Sequence, residues 1–304
     1  VNRFLRNGEK AIILWRFRDE IPGCADKFFG GIQELFFQNM TMSEKLRGNG
    51  LYAEMYLDGA LFGWSIPINS ANKIKKISHI FYSASSMLFD EFQPEDNIYV
   101  PGEIVKFQSV HTSCARGGGK QVKYLPVYLI GNFVSIVNPY YIAMGFSDRI
   151  RKDTKYIRGV GCVLEQGFNE SASNANKNSA FNSAFSDSKY MQYASENIYL
   201  NDQDSFIEKK TGSNIYLFSF TVAGIKYGVR QYSGGIIYVN NKPDHNFPFN
   251  YCSQIKDHSE GAIMLNSSNI MITTIRKWFE LGLVRFNNQQ SKTALLNLIR
   301  YAII

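Results

Sequence analysis

Cysteine and histidine are scarce, four of each in 304 residues. Cys24, Cys114, Cys162 and Cys252 stand too far apart for a CxxC zinc site and are too few for a disulfide scaffold, so reduced thiols are expected. His79, His111, His245 and His258 show no metal-ligand spacing, and none shares a recognisable frame with a nucleophilic Ser or Cys. Charge is also modest, at 19% of residues, while apolar residues reach 45% and aromatic ones 14%. That balance excludes disorder, collagen and coiled coil as descriptions of the whole chain. The opening VNRFLRNGEK has no apolar h-region and does not read as a signal peptide. Long hydrophobic runs are missing too. The nearest approach is 124–147, which has no charged residue, but Pro126, Gly131-Asn132 and Asn138-Pro139 interrupt it. A buried strand, a turn and a second apolar element fit that punctuation better than a spanning helix.

The length suits about two domains. Basic residues outnumber acidic ones by seven, and 204–304 holds five of that surplus, which favours a polyanionic partner for the last third. In the first half, AIILW (11–15), MLF (87–89) and VYLI (127–130) are uninterrupted apolar runs suited to parallel strands covered on both faces. Between them, 25–39 places apolar pairs at helical spacing, and 52–64 reads as a hairpin turning at Asp58-Gly59. The fold class expected is α/β with a mostly parallel sheet. At 169–188, 15 of 20 positions are Asn, Ser or Ala, too little apolar surface to offset ordering entropy, so a partly helical linker is expected. From Ser213 three strand-like runs, separated by Ala223-Gly224 and Ser233-Gly234-Gly235, predict a β-meander, and 270–304 reads as amphipathic helix interrupted at Gly282 and Asn287-Asn288.

The strongest chemical signal is SSMLFDEF (85–92), an apolar strand ending in Asp90 and Glu91. In an open α/β sheet the working crevice lies at the carboxyl ends of the strands. Phosphoryl transfer to water uses such a pair: one carboxylate holds Mg²⁺ and the next aligns the attacking water. A strand ending in solvated acids has the same appearance. Asn132, after VYLIG, reads either as an ordinary turn residue or as a contact to that water or to the γ-phosphate. CARGGGKQ (114–121) looks like a phosphate-binding P-loop, but it lacks the first Gly and the final Ser or Thr, and strand rather than helix follows. Arg116 there suits an arginine finger offered to a neighbouring subunit, or a solvated loop. Lys73, Lys75 and Lys76 are expected in a loop before the Asp-Glu strand, where they would touch a phosphate backbone or simply solvent.

The order of segments resembles the DNA-packaging ATPases of phi29-like small tailed phages, also called terminase large subunits or encapsidation proteins. The resemblance is carried by VNRF (1–4) with Gly8-Glu9, GWSIP (63–67), LFDEF (88–92), YVP (99–101) with Glu103, VSIVNPY (134–140), FIEKK (206–210) and LVRFNNQ (283–289). It implies an additional-strand P-loop ATPase domain over 1–168, a linker over 169–203 and an RNase H-like domain over 204–304. It further implies Asp90 as the Walker B aspartate holding Mg²⁺, Glu91 as the catalytic glutamate, Arg116 as a finger acting in trans, Asn132 as γ-phosphate sensor, Arg18 as a second basic residue toward the neighbour's nucleotide, and Lys75 or Lys76 as a DNA contact. The implied cofactors are ATP and Mg²⁺. The implied assembly is a homomeric ring, with five subunits expected, acting in the host cytoplasm and transiently at the portal vertex of a procapsid, with double-stranded DNA and a packaging RNA among its partners.

Two departures accompany it. The family's P-loop would fall before Val1, so the chain as given is expected to bind ATP poorly, which keeps open a non-hydrolysing nucleic-acid-binding ring component. Gln93 to Asn97 also lacks the basic residues that relatives point at DNA. Independently, 213–240 contains no carboxylate, so a two-metal nuclease is not expected. A membrane protein built around 124–147 is the third reading, and it predicts detergent dependence.

Overall fold

The computed structural model describes residues 1–303 apart from 37, 97, 117–122, 136–137, 147–148, 151–153, 168–169, 186–187, 197–198 and 201–205. They divide into two compact units: Val1–Val134 with Phe168–Leu200, and Ser135–Gly167 with Asn201–Ile304.

The first unit begins with a short helix, α1 (Asn2–Asn7), leading into strand β1 (Lys10–Trp15). Then come α2 (Cys24–Phe36), β2 (Met42–Arg47), β3 (Tyr52–Leu57), β4 (Ala60–Pro67), α3 (Ala71–Lys76), β5 (Ala84–Phe89), α4 (Glu103–Cys114) and β6 (Val127–Leu129). The strand order is β2-β3-β4-β1-β5-β6. β1 is parallel to both β4 and β5, and β5 is parallel to β6, whereas β2 and β3 run antiparallel. The unbroken apolar run of β1 follows from that central place: Ile12, Ile13 and Leu14 are all buried, as a strand covered on both faces requires. On one side Ile13 joins Ala53, Met55, Leu57 and Phe62 of the sheet and Cys24, Ala25 and Phe29 of α2 in one core. Each large side chain buried there contributes about 1.5–3 kcal/mol relative to exposure.

Two glycine-dependent features set this sheet. Asp58 and Gly59 both have positive φ, 49° and 75°, the two-residue turn whose twist matches antiparallel strands. Gly63 of β4 crosses β1 so closely that a Cβ would lie 1.9 Å from the Ala11 carbonyl oxygen. The lysines Lys73, Lys75 and Lys76 are on α3, not in the expected loop. Ala71 and Ile74, three apart and buried, hold one face of that helix inward and leave the three lysines exposed.

After β6 the uncharged stretch 124–147 breaks as its punctuation predicts. Asn138 caps the short helix α5 (Pro139–Ala143) by accepting from the Tyr141 amide at 2.9 Å. Among the described residues no helix is long and apolar enough to cross a membrane. A small hairpin follows, β7 (Tyr156–Arg158) with β8 (Val163–Glu165), and like α5 it falls in the second unit. The expected linker is organised differently: it carries α6 (Glu170–Lys177), α7 (Ala180–Ala184) and α8 (Lys189–Glu196), and all three fall in the first unit. Buried Ser173 and Tyr193 give the segment inward contacts that its composition hides.

The second unit is built on β9 (Asn214–Val222), β10 (Ile225–Tyr232) and β11 (Ile237–Asn240), the expected antiparallel meander. Strands β12 (Asn250–Cys252) and β13 (Ala262–Met264) add in parallel on the β9 side. Helix α9 (Ile270–Glu280), strand β14 (Val284–Phe286) and helix α10 (Gln289–Ile303) complete the chain, and the sheet order is β13-β12-β9-β10-β11-β14. β14 corrects the expectation of helix there. Gly282 takes φ +67° after α9, and Val284 and Phe286 then pair in parallel with β11 and bury against Ile272, Ile275, Leu295 and Leu298.

Candidate functional site

Three parallel strands of the first unit end side by side. β1 runs out into Arg16, β5 into Asp90 and Glu91, and β6 into Ile130, Gly131 and Asn132. The ladder continues just past the strands: the Ile130 amide donates to the Phe89 carbonyl at 2.9 Å and the Phe92 amide to the Ile130 carbonyl at 3.2 Å. Glu91 itself takes φ +51°, a left-handed backbone uncommon for a side chain of its size. That left-handed residue lies between the two ladder bonds, at the carboxyl end of the strand.

What holds that backbone is a buried arginine. Arg16 donates from Nε to the Glu103 carboxylate at 3.1 and 3.3 Å, and through its terminal nitrogens to the Phe92 carbonyl at 2.8 Å and the Glu91 carbonyl at 3.3 Å. Its guanidinium also lies over the rings of Phe89 and Tyr99, at 5.2 and 5.6 Å. Arg16 and Glu103 side chains are 7% and 1% exposed. At that depth desolvation roughly cancels the Coulombic gain, so the pair acts chiefly by fixing geometry. Glu103 also accepts from the Val100 amide at 2.8 Å, which ties the start of α4 into the same network.

A cavity of about 460 Å³ opens at this edge, with Arg16, Glu91, Gln93, Glu95, Asn132 and Tyr193 in its wall. Two of the expected site residues, Glu91 and Asn132, are therefore brought together. Among the described residues, Asp90, Arg18 and Arg116 are not in that wall. Asp90 is exposed beside it, one carboxylate oxygen accepting from the Glu91 amide at 2.9 Å. Arg18 turns to the β2–β3 turn, where it donates to the Gly50 carbonyl at 3.1 Å and to the Asn49 carbonyl. Arg116 is exposed two residues beyond α4, and 117–122 of the glycine-rich loop lie outside the described residues.

The wall is acidic, with the carboxylates of Glu20, Glu91, Glu95 and Asp96 in it and Asp90 outside it. An exposed Asp90 carboxylate fits Mg²⁺, which keeps several waters and needs few protein ligands. Among the described residues Arg16 is the cation in the wall, and its guanidinium is committed to Glu103 and two carbonyls, so this wall does not supply a cradle for phosphates. No group of three or more potential metal ligands occurs among the described residues. Burial pushes the Cys24 and Cys114 thiols up to about 12, which keeps both protonated and unreactive at neutral pH.

Of the wall residues only Glu91 and Asn132 are expected from the sequence; Arg16 and Tyr193 are among those that are not. Arg16 was visible as one of two arginines after β1, but nothing local distinguished it from Arg18. Tyr193 lay in the expected linker. It is 7% exposed, and its hydroxyl donates to a Glu95 carboxylate oxygen at 3.2 Å. Burial pushes that hydroxyl up to about 12, with the nearby Asn132 side chain opposing the rise.

The model of a family described as Podovirus DNA encapsidation protein (Gp16) matches residues 1–304. The chain belongs to that family. Within it, the chain is 25% identical over 300 residues to the DNA packaging protein of Bacillus phage B103, covering 96% of this chain and 88% of that protein. It is 24% identical over 305 residues to the DNA packaging protein of Bacillus phage phi29, covering 99% and 87%. Its fold is similar to a chain of the bacteriophage phi29 viral genome packaging motor assembly, with a TM-score of 0.69 at 22% identity over 99% of this chain and 89% of that one. A second motor chain, of the Phi-28 gp11 DNA packaging motor, superposes with a TM-score of 0.55 at 11% identity. This encapsidation-family chain thus shares a fold, over 99% of its residues, with a chain of each of those two assemblies.

Proposed function

We propose that this encapsidation-family protein is an ATP-driven motor subunit that moves double-stranded viral DNA into a procapsid through the portal. The observation that carries the reading is the meeting of Glu91 and Asn132 in one cavity wall, delivered by the ends of adjacent parallel strands. A carboxylate held in a bent loop beside a polar side chain on the next strand suits a water aligned for attack on a γ-phosphate. Asp90 would hold the Mg²⁺ that neutralises charge on the phosphates, with Glu91 taking the proton of the attacking water and Asn132 contacting that water or the γ-phosphate.

The finer expectations follow the same reading. The first unit, Val1–Val134 with Phe168–Leu200 rather than an unbroken 1–168, serves as an additional-strand P-loop-type ATPase domain. The meander with two parallel strands beyond β9 supports an RNase H-like second domain, and the absence of carboxylates from 213–240 supports its having no nuclease activity. Exposed Arg116 suits a finger offered to a neighbouring subunit of a homomeric, five-membered ring, with Arg18 a second basic residue at that boundary. Lys73, Lys75 and Lys76 on α3 suit phosphate-backbone contact, and a packaging RNA is a further partner for the basic second unit.

The test is Glu91→Gln in the full-length protein. ATP turnover should fall by about 10²–10⁴, the usual contribution of a general base, with ATP binding kept. Turnover within a few-fold of the unaltered protein would remove Glu91 from the mechanism.

A further inference from the structure

Arg116 stands beside a junction that the rest of the first unit fastens down. Helix α4 starts at Glu103, in the network around the Glu91 carbonyl, and its 12 residues run about 18 Å to Cys114. Just past that end the Lys123 amide donates to the Ala115 carbonyl at 2.9 Å, so the chain leaves the helix and returns at one point, with Arg116 the first residue beyond it. The Lys123 ammonium donates in turn to the Tyr82 carbonyl at 2.8 Å and to the Ala84 carbonyl, where β5 begins. His111, in the last turn of α4, makes a further tie. Its Nε2 lies 2.8 Å from the Leu125 carbonyl oxygen, and because a carbonyl only accepts, that nitrogen carries the proton. The junction is thus at the amino end of β5, whereas Asp90 and Glu91 follow the carboxyl end; the six residues of the strand put Asp90 about 20 Å from Ala84. Both lengths place Arg116 farther from the Glu91 of its own chain than an arginine side chain extends, so its use in hydrolysis requires the site of a neighbouring subunit.

We propose that Lys123 is a positioning residue for that finger: by fastening the returning chain to the carbonyls of Tyr82 and Ala84, with His111 as a second fastening, it sets where Arg116 stands toward the neighbouring subunit's nucleotide. This rests on the reading of Arg116 as a finger in an ATP-hydrolysing ring. A cation stabilises charge in a transition state most when it is already held in place, since ordering it during the reaction offsets part of the gain. A lysine that served only folding would impair the subunit that carries it. One that positions a finger impairs the next subunit's site, and that difference is measurable.

The experiment measures steady-state ATP hydrolysis by the full-length protein carrying Lys123→Met, which keeps the apolar stem and removes the donors, alone and mixed with Glu91→Gln subunits. Arg116→Ala, the double variant, and Lys45→Met, at an exposed lysine of β2, are measured beside it. Lys123→Met should lower kcat about tenfold or more, the scale of hydrogen bonds lost from a charged donor, with KM for ATP within about twofold. It should add no further loss to Arg116→Ala, and Lys45→Met should match the unaltered protein. Glu91→Gln subunits, inactive themselves but with Arg116 undisturbed, should restore hydrolysis at the sites of Lys123→Met subunits. Should Lys123→Met fail to fold, His111→Leu, which removes the tie to Leu125, carries the same expectation. Three results overturn the proposal and leave the finger and ATPase readings intact: unchanged kcat or a loss no greater than that of Lys45→Met, a full additional loss on top of Arg116→Ala, and no recovery on mixing where Arg116→Ala recovers. Normal turnover by homogeneous Arg116→Ala overturns the finger and this proposal with it, and no hydrolysis by the unaltered protein overturns the ATPase reading as well.

Discussion

Arg16 and Glu103, 87 residues apart, form a buried ion pair whose arginine also grips the carbonyls of Glu91 and Phe92. The conformation of the candidate catalytic loop therefore depends on a carboxylate at the start of α4. Glu103→Gln keeps the shape of that side chain and leaves the Arg16 charge buried without its counter-ion. Removing one partner of such a pair costs about 3–5 kcal/mol. Denaturant unfolding should show that loss for Glu103→Gln, and replacing both residues by apolar ones should cost less than either single change. A loss under about 1 kcal/mol for Glu103→Gln would mean that the loop is held by other contacts.

Arg116, exposed just beyond α4, separates action within a subunit from action between subunits. Homogeneous Arg116→Ala should lose about 10³–10⁵ in ATP turnover, the range of an arginine finger. Mixing it with subunits that lack Glu91 function but keep Arg116 should restore hydrolysis at the mixed boundaries. Normal rates for the homogeneous variant would end the finger assignment.

The α3 lysines bear on DNA rather than on ATP. Lys73, Lys75 and Lys76 are exposed on one short helix, and each phosphate contact contributes about 0.9 to the slope of log affinity against log salt. Converting all three to Ala should flatten that slope by up to about 3 in a salt titration of duplex binding, equally for unrelated sequences. An unchanged slope would place the DNA contacts elsewhere.

Gly63 is a test of the sheet itself. With the Ala11 carbonyl oxygen 1.9 Å from where a Cβ would lie, Gly63→Ala must push β4 from β1, next to the strand that carries Arg16. A loss of at least about 1–3 kcal/mol in thermal or denaturant unfolding is expected. A near-neutral result would contradict the close crossing.

Much of this protein was written locally. The AIILW run marks a central strand, Asp58-Gly59 the hairpin, Asn138-Pro139 a break in the apolar stretch, and MLF followed by Asp90-Glu91 the end of β5, because period and turn chemistry act over a few residues. Tertiary structure decided what sits together. VRF (284–286) is a strand only because β11 offers it a partner, and the lysines of α3 are helical only because Ala71 and Ile74 have a core to enter. The left-handed turn at Glu91 is held through Arg16 by a carboxylate 87 residues from that arginine, and Tyr193, in a segment whose composition reads as a linker, meets Glu95 98 residues away. Hydrogen bonds of such separation leave no periodicity, so the partners of Arg16 and Tyr193 emerge only when the folded chain brings them within 3 Å or so of one another.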